Sequence, residues 1–564
     1  MAAMQESPQH DVDSAKDYAD LCVRAAQSFL QTIVVVDDRA TYSLAEEVTS
    51  LVPPDSGSLE ALTEEAGDVD AGSGDFLDVG VLTDASADIG LTCAVLRPRR
   101  RQQQDRTLDA RLVKAAQRAD VLVLDWQLND ETDGQAALRL LLDVVKDDQK
   151  GQARLRLVCI YTSHPNLNGV LEATREALAE RVLACSDSTH PERWIDCGYL
   201  RVVIYAKAGG LGELRAASSQ FVEVSELPSK LAEEFSRLTS GLISNVAVAS
   251  LAAVRRDAHR LLTRFQARLD PAFLSHRYYE GGAESEEMIV RLVADEIKTV
   301  LDGADVRRWA EATPVRFWAE QHVAEEITIR PSKVTRVIAK ADFVEALAGD
   351  SHYGRARLAN RAKPGGDFDL EKRISITDLL VGDAEIAAEL DYDFACLTSL
   401  SRNDPTPFPG TRTPVLSEGT ILKGRNGRER VYLLCAMPLC DSVRVFDARA
   451  FPFVPLSVVS PNQRYNLVAM SPENERLYLA FSPKDHYEVV RHTFRGDDGG
   501  LVRARRRSVL GRDQFVFSDV DSKPWLWVAE LRFQHAHRKL HSLGFEASRV
   551  GLDESHFLRK ASSK

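Results

Sequence analysis

Five side chains of this 564-residue sequence could act together on a phosphoryl group. Asp37 and Asp38 close the apolar run VVVDD, and Asp125 closes VLVLD. Thr162 ends LVCIYT, and Lys207 ends VVIYAK. If these runs are neighbouring parallel strands, their carboxyl ends open on one crevice, where open α/β sheets bind ligands. Three crowded carboxylates repel one another. A hard divalent cation such as Mg²⁺ removes that repulsion through oxygen ligands and keeps water positions that a phosphoryl oxygen can take. A carboxylate can then attack phosphorus to give an acyl phosphate. An ammonium and a hydroxyl pair with the added oxygens, and phosphoryl transfer needs mainly such positioning and charge neutralisation.

The elements that must position these groups can be read from the apolar runs. Ile33–Val36, Val121–Leu124, Leu157–Ile160 and Val202–Tyr205 are β-branched and apolar on both faces, the pattern of parallel strands covered on both sides. Thr92–Leu96 is a fifth candidate. Leu108–Arg118 and Gly134–Val145 carry helical periodicity between them. The alternation predicts a doubly wound α/β sheet of five parallel strands, flavodoxin-like in order. Residues 1 to about 20 read as a loose lead-in, and Glu46–Asp75, rich in Asp, Glu, Gly and Ser, as a solvated loop. Ser225 and Pro228 start a helix that runs to Leu242. The domains expected are 21–243, the α/β domain with insertions; 244–405, mainly helical; and 406–564, β-rich with a C-terminal helix.

In the helical region Leu251, Val254, Leu261, Leu262 and Phe265 fall near i, i+3, i+4 spacing. After about Thr411, short apolar segments at Val431–Leu434, Val443–Phe446, Phe451–Val458, Arg476–Phe481, Gln514–Phe517 and Trp525–Val528 are separated by Gly, Pro, Asp and Asn. They predict a small β-barrel or sandwich, closed by a helix at Ala529–Ser542.

The strand-end set resembles the receiver domain of two-component response regulators. Asp37 and Asp38 match its acidic pair, Asp125 its phosphoacceptor, Thr162 its switch hydroxyl and Lys207 its lysine. DWQLNDETDGQAALRLL resembles the receiver loop in which a DG pair follows the acceptor and opens a helix. The resemblance implies Mg²⁺ bound by Asp37, Asp38, Asp125 and the backbone carbonyl of Gln127. It also implies a sensor histidine kinase as phosphoryl donor. The chain departs from compact receivers in its longer intervals, in Ala208 where proline usually follows the lysine, and in Ile204 where the switch aromatic usually stands. Tyr205 falls on the other face of that strand.

Those longer intervals, with 225–245 and 267–280, resemble a divergent receiver class of bacterial anti-phage systems such as Detocs; 432–445 and 533–559 are similar to the same defence-associated proteins. That resemblance implies a receiver acting as a phosphate buffer beside a second receiver that carries an effector. The alternative is a response regulator whose own C-terminal half is an effector, an enzyme or a DNA-binding output.

Composition limits the other classes. A net charge of −13 disfavours wholesale binding to nucleic acid. No run is long and apolar enough to cross a bilayer, and the N-terminus lacks a secretory layout. Eight scattered cysteines without a CxxC pair fit a reducing cytoplasm, with neither a disulfide framework nor a zinc module. No P-loop, nucleophile elbow or zinc motif marks residues 290–564 as an enzyme. Cys435 and Cys440 read as free strand cysteines, His535, His537 and His541 as a solvated helix face, and Arg503–Arg507 and Arg425–Arg430 as exposed hairpins.

Overall fold

The computed structural model describes residues 9–42, 76–98, 110–128, 131, 133–149, 154–180, 185–188, 193–207, 221–329, 336–349, 375–403, 413–426, 429–481, 488–509 and 512–547. They fold as two compact units interleaved along the chain. The first draws on the described residues within 1–260, 298–325 and 339–358, the second on those within 261–297, 326–338 and 359–564. The predicted loop Glu46–Asp75 lies outside the described residues.

In the first unit the order is α1 (Gln9–Phe29), β1 (Thr32–Val36), α2 (Val79–Asp88), β2 (Thr92–Leu96), α3 (Ala110–Ala116), β3 (Val121–Leu124) and α4 (Gln135–Asp148). Then come β4 (Arg156–Thr162), α5 (Leu167–Ala179), β5 (Ser186–Ser188), β6 (Trp194–Asp196), β7 (Leu200–Lys207), β8 (Phe221–Val222), α6 (Leu227–Thr239) and α7 (Leu242–Leu262). The sheet runs β2-β1-β3-β4-β7-β6-β5, with β8 also on β7. Its first five strands are parallel, as the apolar runs predict. Alternation splits the strands between two cores. Val34, Val36, Leu122, Leu124, Val158, Ile160, Val202 and Ile204 meet α3, α4 and α5. Ile33, Val35, Val121, Val123, Leu157, Cys159, Tyr161 and Val203 meet α2 and α6.

The five-stranded expectation is corrected to an eight-stranded mixed sheet. The β5–β6 hairpin adds antiparallel to the first half of β7, and β8 adds parallel to its last two residues. A disulfide joins Cys185 to Cys197 at the base of that hairpin, which corrects the expectation of scattered cysteines in a reducing setting without a disulfide framework. The lead-in is also corrected, because residues 9–29 are helical. Tyr18, Cys22, Ala25 and Ala26 are buried along one side of α1, and small residues give that stripe little hydrophobic weight in the sequence.

Beyond α7 come α8 (Asp270–Glu280), α9 (Gly282–Gly303), α10 (Ala312–His322), β9 (Glu326–Ile329), β10 (Arg336–Ala339) and α11 (Lys340–Ala348). The β9–β10 pair interrupts the expected helical stretch. The second unit is then built from α12 (Ile376–Val381), α13 (Ala384–Ser399), β11 (Leu400–Arg402), β12 (Thr420–Asn426), β13 (Glu429–Cys435), β14 (Arg449–Val458) and β15 (Leu467–Met470). β16 (Arg476–Ala480), β17 (Val490–Phe494), β18 (Arg505–Val509), β19 (Arg512–Ser518), β20 (Pro524–Leu531) and α14 (Phe533–Ala547) complete it.

Strands β11 to β20 form one ten-stranded antiparallel sheet in the order β15-β16-β14-β13-β12-β20-β19-β18, with β11 on β20 and β17 on β14. Apolar clusters cover both faces. Leu434, Val454 and Leu479 meet Ala536 of α14 on one, and Phe451, Phe494, Phe517, Trp525 and Trp527 pack on the other. Val443–Phe446 is not a strand. Val445 is buried there by a loop whose backbone pairs with Gly496 and Gly500. The last helix starts at Phe533 because Ala529–Leu531 continue β20. Cys435 is buried on β13 and Cys440 is exposed. Arg505–Arg507 lie exposed on the β18–β19 hairpin.

Candidate functional site at the carboxyl edge of the parallel sheet

Strand register brings the predicted residues to one edge. Val36 lies beside Leu124, so Asp37 and Asp125 follow side by side at the ends of β1 and β3. The Asp37 N–H donates to the Leu96 carbonyl at 3.2 Å, and the Asp125 N–H to the Val36 carbonyl at 2.9 Å. The ladder thus holds both residues beyond the last named strand positions. On β4 and β7, Thr162 lies beside Ala206, one residue short of Lys207.

Lys207 joins the acidic residues. Its Nζ donates to Asp37 Oδ2 at 2.8 Å and to Asp125 Oδ2 at 2.8 Å. Asp37, Asp125 and Lys207 are 1%, 3% and 3% exposed, so the lysine neutralises charge in a site with little water. Asp37 Oδ1 also accepts the Arg39 N–H at 2.8 Å, and Asp125 Oδ1 accepts the Gln127 N–H at 3.2 Å. Carboxylate oxygens of Asp37, Asp38 and Asp125 lie within 4.8 Å of one another, a donor set that could hold a divalent metal.

Burial pushes the Asp125 carboxyl above its ordinary value; Lys207 opposes this and the Asp37 charge adds to it. Burial pulls the Lys207 ammonium down, but the Asp125 and Asp37 carboxylates outweigh it and hold the group above its ordinary value. Both directions follow from negative charge concentrated in a buried place, which is also what attracts a cation.

Thr162 is buried, and its Oγ1 accepts the His164 N–H at 3.1 Å. Strand alternation sets Thr162 on the face of Ile160, Ile204 and Ala206, and sets Lys207 on the face of Tyr161 and Tyr205. Ser163, the neighbouring hydroxyl, has a buried Oγ without a hydrogen-bond partner. Tyr205 points to α6. Its hydroxyl donates to Glu234 Oε1 at 3.1 Å, and Arg201 Nε donates to Glu234 Oε2 at 2.8 Å.

Two supports of the site were not read from the sequence. Tyr161 is 1% exposed, its hydroxyl donates to the Val222 carbonyl of β8 at 2.7 Å, and Lys207 Nζ stands 6.0 Å from its ring centre. A tyrosine inside the otherwise aliphatic run LVCIYT is the signal, since a buried phenol needs a partner. Trp126, directly after Asp125, is buried against Gly134, which begins α4 with φ +73°. The glycine of the DG pair is therefore required both by its backbone and by the indole lying over it.

Among the described residues, no helix is long and apolar enough to cross a membrane. No curated protein and no solved structure matches the chain. Residues 29–211, the stretch that carries β1 to β7 and the acidic edge, match the model of the response receiver domain family, and this part of the chain is similar to it.

Proposed function

We propose that Asp125 accepts a phosphoryl group from a phosphohistidine of a sensor histidine kinase. The observation that carries this reading is the Lys207 ammonium set 2.8 Å from both Asp37 and Asp125 at the sheet's carboxyl edge. In the transfer, an Asp125 carboxylate oxygen forms the new P–O bond while the P–N bond to the donor imidazole breaks. Mg²⁺ held by Asp37, Asp38, Asp125 and the Gln127 carbonyl would offset charge on the phosphoryl oxygens. Lys207 can leave its carboxylate partners for a phosphoryl oxygen, and Thr162 supplies a hydroxyl from the next strand. Asp125 suits the acceptor role because β3 lies between β1, with its acidic pair, and β4, with Thr162.

The test is transfer of labelled phosphate from the phosphorylated cognate kinase. Wild type should become labelled in a Mg²⁺-dependent reaction, and Asp125→Asn should not. Equal labelling of the variant would overturn the assignment.

The resemblance to the receivers of anti-phage systems, together with strand-rich and helical packing patterns through 290–564, supports a finer reading as a phosphate buffer. This protein would draw phosphoryl groups away from a second receiver that carries the effector. Co-expression with the kinase alone should then leave cells growing. Growth arrest requiring Asp125 and the second unit would favour a built-in effector instead.

A further inference from the structure

Two hydroxyls stand in a row at the end of β4, and they are engaged differently. Thr162 Oγ1 accepts the His164 N–H. Ser163 Oγ is buried, and no described residue bonds to it. A buried hydroxyl that makes no hydrogen bond costs free energy, and such a group in a folded protein has a cause to be sought.

Strand register supplies one. β4 and β7 pair in parallel, with Tyr161 beside Tyr205 and Thr162 beside Ala206. One residue on, Ser163 comes level with Lys207. Side chains alternate between faces along the same strands. Val35, Val123, Tyr161 and Val203 pack in one apolar cluster. Counting on by twos from them leads to Asp37, Asp125, Ser163 and Lys207. Leu124, Ile160 and Ile204 pack in the other cluster, and the same count leads from Ile160 to Thr162. Ser163 therefore shares a face with both carboxylates and the ammonium, whereas Thr162 belongs to the opposite face.

Position along the sheet fits as well. Leu124 lies beside Ile160, so Asp125 is level with Tyr161 and Ser163 is two residues farther on. At about 3.3 Å per residue the difference is roughly 7 Å. Both strands run toward this edge, and an acyl phosphate on Asp125 projects the same way, off the strand ends.

We propose that Ser163 is a phosphoryl-binding residue, whose hydroxyl donates to an oxygen of the phosphoryl group on Asp125 beside the Lys207 ammonium. Before transfer, Asp37 and Asp125 both hold Lys207, and the serine hydroxyl is an unengaged donor on the same face. Transfer brings negatively charged oxygens to it. Fixed donors aimed at charge that arrives in the transition state lower the barrier without reorganising. Ser163 thus sets how readily the site loads. The inference rests on Asp125 as the acceptor and adds a group that grips what it accepts.

Full-length wild type, Ser163→Ala and Asp125→Asn are compared with the phosphorylated kinase in Mg²⁺. Ser163→Ala should still take label, at a rate about ten-fold or more below wild type. Beryllium trifluoride, a phosphoryl mimic that bonds to a carboxylate, should bind it about ten-fold more weakly. The melting temperature of the unphosphorylated variant should equal or exceed that of wild type, because alanine discards an unmade hydrogen bond; a hydroxyl that only supported the fold would lower it. Wild-type loading, wild-type mimic affinity or a lowered melting temperature in Ser163→Ala would overturn the inference and leave Asp125 as acceptor. Unlabelled wild type, or equal label on Asp125→Asn, would instead overturn the acceptor assignment and the inference with it.

Discussion

Gly134 and Trp126 occupy each other's space: a Cβ on Gly134 would fall inside the Trp126 indole. Trp126 directly follows Asp125, so the opening of α4 and the acidic edge are tied through one ring. Gly90 has a similar left-handed φ of +78°, but a Cβ there would meet nothing within 4 Å. The pair separates backbone strain from packing. Gly90→Ala should cost about 1–2 kcal/mol from the left-handed backbone alone. Gly134→Ala should cost a further ~1–3 kcal/mol from overpacking. It should also slow phosphoryl acceptance, because Trp126 must move. Denaturant unfolding of both variants, with the acceptance rate of each, checks this; equal stability losses and equal rates would show that the indole contact is unimportant.

Lys207 is the cation between Asp37 and Asp125, and it is as buried as they are. Lys207→Met leaves the carboxylates together without it. Removing one partner of a buried ion pair costs about 3–5 kcal/mol. The loss should be largest in EDTA and should shrink in millimolar Mg²⁺, since a cation bound only by the folded state stabilises it. Thermal unfolding with and without Mg²⁺ measures the difference. A loss of the same size in both conditions would argue against cation binding by the acidic edge.

The parallel strands were legible because they bury both faces, leaving β-branched runs such as VVVDD and VLVLD that end in the site residues. The lysine's contact with two carboxylates was not legible, because register beyond a strand end depends on the pairing of β1, β3 and β7. The β5–β6 hairpin escaped notice because its strands are three residues each, too short to show periodicity. Cys185 and Cys197 are brought together by that same hairpin, so nothing in their spacing announced the disulfide. In the second unit, Val443–Phe446 looked like a strand because Val445 is a core residue, but its partners are loop carbonyls and amides.

The raised carboxyl of Asp125 gives stability a definite pH dependence in the absence of metal. Burial makes the folded state hold that proton more tightly than the unfolded chain does. Between the ordinary aspartate value and the raised one, the folded protein binds more protons, so stability falls as pH rises through that window. Asp125→Asn should flatten this slope. The Mg²⁺-induced rise in melting temperature should run the other way, fading on acidification while an exposed aspartate would still be ionised. Melting curves from neutral to mildly acidic pH, with and without Mg²⁺, test both signs; matching slopes for wild type and Asp125→Asn would contradict them.

Tyr205 supplies the last prediction. Alternation along β7 separates it from Thr162 and Ile204 and turns it toward α6, where Glu234 accepts from both Tyr205 and Arg201. Glu234 is 6% exposed and also pairs with Arg237 at 3.1 Å, so three donors converge on one buried carboxylate. Tyr205→Phe removes one hydrogen bond and should cost about 1 kcal/mol. Glu234→Gln weakens charge-assisted bonds to two arginines and should cost about 2–3 kcal/mol. Both changes act on the β7–α6 contact, on the face of the sheet opposite Thr162, and neither Tyr205 nor Glu234 bonds to Asp37, Asp125 or Lys207. Hydrogen exchange should therefore quicken across α6, while phosphoryl transfer to Asp125 stays within about two-fold of wild type, a free-energy change of roughly 0.4 kcal/mol. If Tyr205→Phe instead abolished acceptance without loosening α6, this aromatic would belong to the phosphoryl site itself.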